Sequence, residues 1–153
     1  MLKVGDVAPP LEGRTADGRV VSLEALRGKP VVVYFFPKAF TPVCTVETKG
    51  FRDNYEDLKQ YGFEVIGVST DAPDTQCRFA EAHGVAYPML GDSDKKVTRA
   101  YGVLWPLLPV ARRVTYVLDE RHVVVAVFHH EFQANKHLDD VIRFAKSHRG
   151  RNT

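Results

Sequence analysis

The fold is decided by one stretch of the chain, Val31-Val-Val-Tyr-Phe-Phe-Pro-Lys-Ala-Phe-Thr-Pro-Val-Cys44. Its first six residues are β-branched or aromatic with no polar break, which is typical of a strand buried on both faces in a parallel sheet. Pro37 ends that strand, because proline cannot donate to the hydrogen bonds of the sheet. The pair Thr41-Pro42 signals a helix start, with Thr41 as N-cap and Pro42 in the first helical position. We therefore predict a central strand followed by a helix that carries Cys44 in its first turn.

The predicted position of Cys44 favours a chemical role. A thiol in the first turn of a helix lies among backbone N–H groups that have no helical partner, at the positive end of the helix dipole. Both features favour the thiolate, which is the reactive form of cysteine. Open α/β sheets also place their ligand sites beyond the carboxyl ends of the strands. We interpret Cys44 as a nucleophile; the alternative is a buried, inert core cysteine.

The composition is that of an ordinary globular protein, with 153 residues, 44% of them hydrophobic and 26% charged, and a net charge of +2. The length predicts one domain over residues 1–153. The small net charge gives no reason to expect nucleic acid or a membrane as a partner. The first residues lack the apolar segment of a signal peptide, and two cysteines cannot build a disulfide framework, so we expect a cytoplasmic protein.

Strands and helices alternate along the rest of the chain, which predicts a mixed α/β sheet covered on both faces. We expect an N-terminal hairpin over 11–22 with its turn at 16–18, a first helix over 42–61 and a strand over 63–69. A second helix should begin at a capping box formed by Asp71 and Asp74 and end near 83–84. A third helix should run from 92 or 93 to about 101, followed by a hairpin of strands 114–118 and 123–128 and a last helix over 137–147.

The motif Pro37-x-x-x-Thr41-x-x-Cys44 resembles the peroxiredoxin signature Pro-x-x-x-(Thr/Ser)-x-x-Cys. Further segments resemble the peroxiredoxin Q group, also called bacterioferritin comigratory proteins, in order and at similar spacings: 36–37, 41–45, 50–53, 67–71, 78–80, 101–103 and 113–119. The resemblance implies a thioredoxin-like fold, with a central mixed sheet, helices on both faces and an N-terminal hairpin. It implies a thiol peroxidase that reduces hydrogen peroxide and organic hydroperoxides through a cysteine sulfenic acid. It also implies thioredoxin or a similar dithiol protein as reductant, no cofactor, and a monomer or weak homodimer.

The resemblance assigns a role to each residue of the expected site. Cys44 is the peroxidatic nucleophile, and Pro37 shapes the pocket wall and shields the thiolate from water. Thr41 hydrogen-bonds the peroxide, unless its hydroxyl only caps the helix. Arg113 matches the active-site arginine, whose planar fork can donate to sulfur and peroxide oxygen together. Glu47 matches the carboxylate that orients this arginine, although an exposed helix charge is an equally good interpretation.

Arg112 and Cys77 do not align with residues of the family site. Arg112 should point to the opposite face of the strand from its neighbour, and we expect it on the solvated surface. Cys77 departs from the family pattern, because the resolving cysteine of many relatives falls at Lys49 and that of others at Ala80. Cys77 lies one helical turn before Ala80 on the same face. We take Cys77 as the resolving residue, which requires both helix starts to unwind; the alternative is an ordinary helix cysteine, with resolution by an external thiol.

Two other segments of the sequence could also suggest functional sites. His129-His130-Glu131 lies on a predicted strand, where adjacent residues point to opposite faces, so we expect no metal there. The segment Trp105-Pro-Leu-Leu-Pro109 either packs over the core or forms an exposed patch for a dimer partner or thioredoxin.

Two rival functions fit the fold. A thioredoxin-like thiol–disulfide oxidoreductase would need a Cys-x-x-Cys motif, which the chain lacks. A thioredoxin-fold binding module without chemistry is disfavoured, because the whole signature is retained.

Overall fold

The structure, a computed structural model, describes residues 1–15, 20–129 and 134–151. Strands and helices alternate along this part of the chain, as predicted. In chain order they are β1 (Glu12–Arg14), β2 (Val20–Ser22), a short 3₁₀ turn (Glu24–Leu26), β3 (Val31–Phe35), α1 (Pro42–Gln60), β4 (Glu64–Ser69), α2 (Pro73–Ala82), β5 (Met89–Gly91), α3 (Lys96–Ala100), β6 (Val114–Leu118), β7 (Val124–His129) and α4 (Ala134–Arg151). The turn predicted at 16–18 lies outside the described residues, although β1 and β2 pair in antiparallel fashion as the hairpin requires.

The central sheet has five strands in the order β5-β4-β3-β6-β7. The strand β3 pairs in parallel with β4 and in antiparallel with β6, so the sheet is mixed, as predicted. Every residue of β3 is 0% exposed, which confirms the interpretation of this strand as the buried centre of the sheet. The strands β6 and β7 form the predicted hairpin.

Successive residues of β3 point to two separate cores, because side chains alternate across a strand. Val31, Val33 and Phe35 pack with apolar residues of the N-terminal hairpin and of α3. Val32 and Tyr34 pack with apolar residues of α1, α2 and α4. Helices therefore cover both faces of the sheet, which confirms that prediction.

The pairing of the strands brings distant segments to one edge of the sheet. Because β3 and β6 are antiparallel, with Phe35 opposite Val114, the start of β6 lies where β3 ends. Because β3 and β4 are parallel neighbours, the starts of α1 and α2 lie at the same edge. The residue just before β6 and the first turns of these two helices are therefore placed near one another.

The second helix begins differently from the prediction. Ala72 is its N-cap, and no side chain caps it. The carboxylate of Asp71 instead accepts hydrogen bonds from the backbone N–H of Ala39 and from the hydroxyl of Ser69, each at 2.7 Å. The predicted capping box is therefore wrong, because Asp71 is used by a tertiary contact.

The first and last residues of α3 and α4 also differ from the predicted ones. The helix α3 begins at Lys96 and not at 92–93, because the carboxylate of Asp92 accepts from the backbone N–H groups of Val97 and Thr98 in the first turn. The helix α4 is longer than the predicted 137–147. Within the described residues, no helix combines the length and the apolar character needed to cross a membrane.

Candidate active site

Three buried side chains form the centre of the site. Cys44 is 0% exposed in the first turn of α1, and Arg113 lies directly before β6 with 3% exposure. Arg113 donates through Nη2 to Sγ of Cys44 at 3.2 Å and through Nη1 to Oε1 of Glu47 at 2.9 Å. Cys44 and Glu47 are three residues apart on one face of α1, so one planar guanidinium reaches both. Glu47 is 1% exposed, which excludes its interpretation as a solvated helix charge.

The charge state of Arg113 depends on two opposing effects. Burial lowers the pKa of the guanidinium, because desolvation disfavours the cation, whereas the Glu47 carboxylate and the Cys44 sulfur raise it. The net effect is a pKa above the ordinary value, so Arg113 stays charged at every physiological pH. A fixed positive charge therefore lies beside the sulfur, where it stabilises negative charge on sulfur or on a bound oxygen.

Thr41 occupies the N-cap position of α1 as predicted, but its hydroxyl does not cap the helix. The hydroxyl donates instead to the backbone carbonyl of Lys38 at 2.7 Å. Between these two residues Phe40 has a left-handed backbone (φ 64°), which is uncommon for a bulky residue and turns the loop back on itself. Because its proton is used by Lys38, the Thr41 oxygen presents its lone pairs as acceptors. Pro37 is half-buried at the start of this loop.

Arg112 lies outside the site. The prediction that it is a solvated surface residue is wrong, because its side chain is half-buried. Its guanidinium carbon stacks 4.6 Å from the ring centroid of Trp105. The loop that follows Trp105 is closed by a backbone hydrogen bond, which the N–H of Trp105 donates to the carbonyl of Val110. Leu107 and Leu108 at its tip are 94% and 57% exposed. The segment 105–109 was expected either to pack over the core or to form an exposed patch, and its tip is exposed.

Cys77 lies on α2, half-buried, with Sγ 3.6 Å from Oε1 of Glu81. Cys44 and Cys77 form no disulfide with each other in the structure. The predicted pairing of the two cysteines stays a prediction.

The end of β7 carries the first residue of the His129-His130-Glu131 cluster. His129 ends this strand, while His130 and Glu131 lie outside the described residues. In the part of the chain that the structure describes, no three His, Cys, Asp or Glu side chains converge as a metal ion would require.

A buried tyrosine pair behind the site was not foreseen from the sequence. The hydroxyl oxygens of Tyr34 and Tyr87 are 2.7 Å apart, and Tyr34 also contacts the Thr48 hydroxyl at 3.2 Å. The Tyr87 hydroxyl donates to the Thr48 carbonyl at 3.2 Å. Burial raises the pKa of both tyrosines, which keeps them neutral. The pair therefore anchors α1 to the sheet one residue after Glu47. In the sequence both tyrosines look like ordinary core aromatics, and no motif marks them.

Residues 4–127 match the AhpC/TSA family. The chloroplastic Peroxiredoxin Q of Gentiana triflora is 42% identical over 146 residues, which cover 94% of this chain and 66% of the relative. Peroxiredoxin Bcp of Escherichia coli (strain K12) is 37% identical over 153 residues, which cover 96% of this chain and 97% of the relative. The chain thus spans about two thirds of the plant relative and nearly all of the bacterial one.

Solved structures agree with this comparison. Peroxidoxin BcpB from Mycobacterium tuberculosis superimposes with a TM-score of 0.88 at 32% identity, covering 96% of this chain and 98% of its own. The Bacterioferritin Comigratory Protein of Xanthomonas campestris, described for its alkyl peroxide reduction activity, has a TM-score of 0.83 at 27% identity, covering 91% and 92%. These likenesses confirm the predicted thioredoxin-like fold. The family match and the relatives together show that the chain belongs to the AhpC/TSA family, as a peroxiredoxin of the peroxiredoxin Q/Bcp group.

Proposed function

We propose that this peroxiredoxin reduces hydrogen peroxide and organic hydroperoxides with Cys44 as the attacking thiolate. The observation that carries the proposal is the buried guanidinium of Arg113, which contacts both Cys44 Sγ and Glu47. The thiolate attacks one oxygen of the peroxide, so that an S–O bond forms while the O–O bond breaks. Cys44 becomes a sulfenic acid, and the departing oxygen leaves as water or alcohol after it takes up a proton.

The surrounding groups suit the charge that develops on the departing oxygen. Arg113 is charged and planar, and its fork can donate to a peroxide oxygen as well as to sulfur. The backbone N–H groups of Val43 and Cys44 lie in the first turn of α1, where no helical carbonyl is available to them. The Thr41 oxygen is oriented to accept the O–H of the peroxide, and Pro37 shields the reacting sulfur from water. The alkyl peroxide reduction of the Xanthomonas campestris relative supports organic hydroperoxides as substrates.

The proposed regeneration uses Cys77. Its thiol would condense with the Cys44 sulfenic acid, forming a disulfide and releasing water. A thioredoxin or similar dithiol protein would then reduce this disulfide by thiol–disulfide exchange and become oxidised itself. The parallel pairing of β3 and β4 supports the proposal, because it brings the starts of α1 and α2 to one edge. We expect both starts to unwind in the disulfide form, because a disulfide needs Cα atoms within about 7 Å.

The role of Cys44 is tested by single-turnover loss of peroxide on pre-reduced protein without added reductant. Wild type and Cys77→Ala should consume about one equivalent at the same rate, because Cys77 acts after the peroxide step. Cys44→Ser should consume none while keeping its unfolding transition, since the change removes the thiolate but little volume. Undiminished consumption by Cys44→Ser would overturn the mechanism.

The role of Cys77 is tested by peptide mapping under non-reducing conditions after stoichiometric peroxide. We expect a Cys44–Cys77 disulfide in wild type, and sulfenic or sulfinic acid on Cys44 in Cys77→Ala. A wild type that keeps Cys77 free, with Cys77→Ala turning over equally well with thioredoxin, would make this a one-cysteine enzyme that relies on an external thiol.

We further propose a single domain over residues 1–153, acting in the cytoplasm as a monomer or weak homodimer. These three statements rest on the chain length, on the composition and on the resemblance to the peroxiredoxin Q group. Sedimentation velocity of the reduced and the oxidised protein over a range of concentrations tests the oligomeric state.

A further inference from the structure

Asp71, which lies just after the neighbouring strand β4, holds the loop that precedes the Cys44 helix. One oxygen of the Asp71 carboxylate, Oδ2, accepts the backbone N–H of Ala39 at 2.7 Å. The same oxygen accepts the Ser69 hydroxyl at 2.7 Å, and Ser69 is fully buried at the end of β4. The backbone N–H of Asp71 in turn lies 3.4 Å from the Ser69 oxygen. Ser69 therefore fixes the orientation of the carboxylate, which is the condition for it to hold Ala39 in one place.

The segment that Asp71 holds has an unfavourable backbone. Phe40 follows Ala39 directly and has φ 64°, a region that bulky residues adopt only when their surroundings impose it. Its ring packs on Phe79 of α2, with centroids 5.1 Å apart, but stays 54% exposed. After Phe40 come Thr41, whose oxygen faces Lys38, and the turn that carries Cys44. The hydrogen bond from Ala39 to Asp71 is thus a charge-assisted restraint directly before the strained residue.

We propose that Asp71 is a positioning residue for the peroxide reaction: by holding the Ala39 N–H it keeps the loop 37–41 turned, so that the Thr41 oxygen keeps its orientation and Cys44 stays against Arg113. This inference rests on the proposed function of Cys44 and adds a residue that touches no reacting atom. Without the carboxylate, Phe40 relaxes toward ordinary backbone angles, and the Thr41 oxygen and the start of α1 lose their common orientation. Because Asp71 directly precedes α2, the same bond joins the loop before the Cys44 helix to the start of the Cys77 helix.

The test compares Asp71→Ala and Asp71→Asn with Asp74→Ala as matched control. Asp74 is an exposed carboxylate in the first turn of α2, so its removal costs the helix a favourable charge without touching the loop. In single-turnover reaction with peroxide, Asp71→Ala should be slower by at least about tenfold, as loss of a charge-assisted hydrogen bond implies. Asp71→Asn should recover most of the rate, because the amide oxygen still accepts from Ala39. Asp74→Ala should react like wild type.

A second readout is independent of chemistry at the sulfur. Amide hydrogen exchange at Ala39 should be at least about tenfold faster in Asp71→Ala than in wild type, and unchanged in Asp74→Ala. If Asp71→Ala does not fold, Ser69→Ala replaces it; this variant keeps the carboxylate but frees its orientation, and it should show the same two changes in smaller size. Equal peroxide rates and equal Ala39 exchange in Asp71→Ala and Asp74→Ala would overturn the positioning role. A wild type that does not consume peroxide would instead overturn the proposed function, while the exchange rates would still decide whether Asp71 holds the loop.

Discussion

The starts of α1 and α2 are built alike in sequence but are held very differently. Each helix has a proline in its first turn, and neither has an N-cap side chain that bonds the helix. The first turns of α1 are clamped on both sides, by Arg113 at Cys44 and Glu47 and by the tyrosine pair at Thr48. Sequence signals for a helix start therefore say little about how firmly that start is held.

Within α2 itself, Gln76 is the one buried polar side chain among the described residues, while the segment just before the helix is tied separately by Asp71 to Ala39. Gln76 is 0% exposed and donates through Nε2 to the Leu90 carbonyl at 2.9 Å. Its other amide atom, Oε1, is buried without a hydrogen-bond partner among the described residues. A buried acceptor in that state is costly, so it offsets part of what the anchor contributes. If both helix starts must open for Cys44 to reach Cys77, α2 is the one that opens at lower free-energy cost, and opening of α1 should stop at Thr48.

The largest effect is expected from Arg113→Lys, which breaks the clamp on α1. A lysine has no planar fork, so it cannot serve Cys44 and Glu47 together. We expect single-turnover peroxide reduction to slow by about a hundredfold or more, since charge-assisted bonds to two partners are disturbed. The matched control is Arg112→Lys, which only changes the stacking on Trp105 and should stay within about threefold of wild type. Similar losses at the two positions would show that the clamp is not specific to Arg113.

The second effect is on stability and concerns the anchor at Thr48. Tyr87→Phe removes the hydroxyl that joins Tyr34 and the Thr48 carbonyl, and the buried partners lose hydrogen bonds. We expect the free energy of unfolding to fall by about 1–3 kcal/mol in denaturant titrations. Tyr55→Phe is the control, because its hydroxyl bonds only the half-buried Glu64 and its ring also packs on Tyr87. A loss in Tyr55→Phe as large as that in Tyr87→Phe would show that the Tyr87 hydroxyl has no special part in holding this section of α1.

Substitution of Thr41 distinguishes a role in the peroxide reaction from a role in helix capping. Because its hydroxyl bonds Lys38 and not the helix, Thr41→Val should leave the unfolding free energy within about 0.5 kcal/mol, below the usual ~1 kcal/mol for loss of a cap. Reaction with peroxide should slow by about tenfold, as one hydrogen bond to substrate implies. Thr41→Ser keeps the oxygen and should react nearly as wild type does. Stopped-flow measurement of both variants decides; equal rates for Val and Ser would remove Thr41 from the reaction.

The smallest effect is expected from Gln76→Met, although Gln76 is as deeply buried as Tyr87. Methionine has a similar length and removes the unpartnered Oε1 together with the single anchor. The two changes oppose each other, and we expect the free energy of unfolding to change by less than about 1 kcal/mol. Calorimetric or denaturant unfolding measures this. A loss exceeding that of Tyr87→Phe would reverse our ranking of the two helix starts.

The sequence predicted those parts of the molecule that depend on local patterns. An unbroken apolar run indicated β3, proline positions indicated the end of β3 and the start of α1, and the family motif indicated Cys44, Thr41 and Arg113. The comparisons confirm the peroxiredoxin family, its fold and its enzymatic character. The individual residue roles stay predictions, tested by the variants above.

Contacts between residues distant in sequence could not be predicted, because no local pattern records which polar groups will meet. Ala39 and Asp71 are 32 positions apart, and Tyr34 and Tyr87 are 53 apart. Asp71 and Asp92 both precede helices and therefore look like helix-start signals. Asp71 instead bonds a distant loop, and Asp92 reaches into a helix that begins later, so the predicted capping box of α2 and the predicted start of α3 are both wrong.

The loop after Trp105 has an optical consequence. Trp105 is the single tryptophan of the chain, so its emission reports on one place only. The indole stacks against Arg112, and the far end of its loop is tied to the start of the α2 segment, because the Thr70 hydroxyl donates to the Pro109 carbonyl at 2.9 Å. A movement of α2 that displaces Thr70 would pull on this loop and change the polarity around the indole. Fluorescence of the unlabelled protein would thus follow the opening of α2 in real time, with Arg112→Leu setting the signal of an unstacked ring.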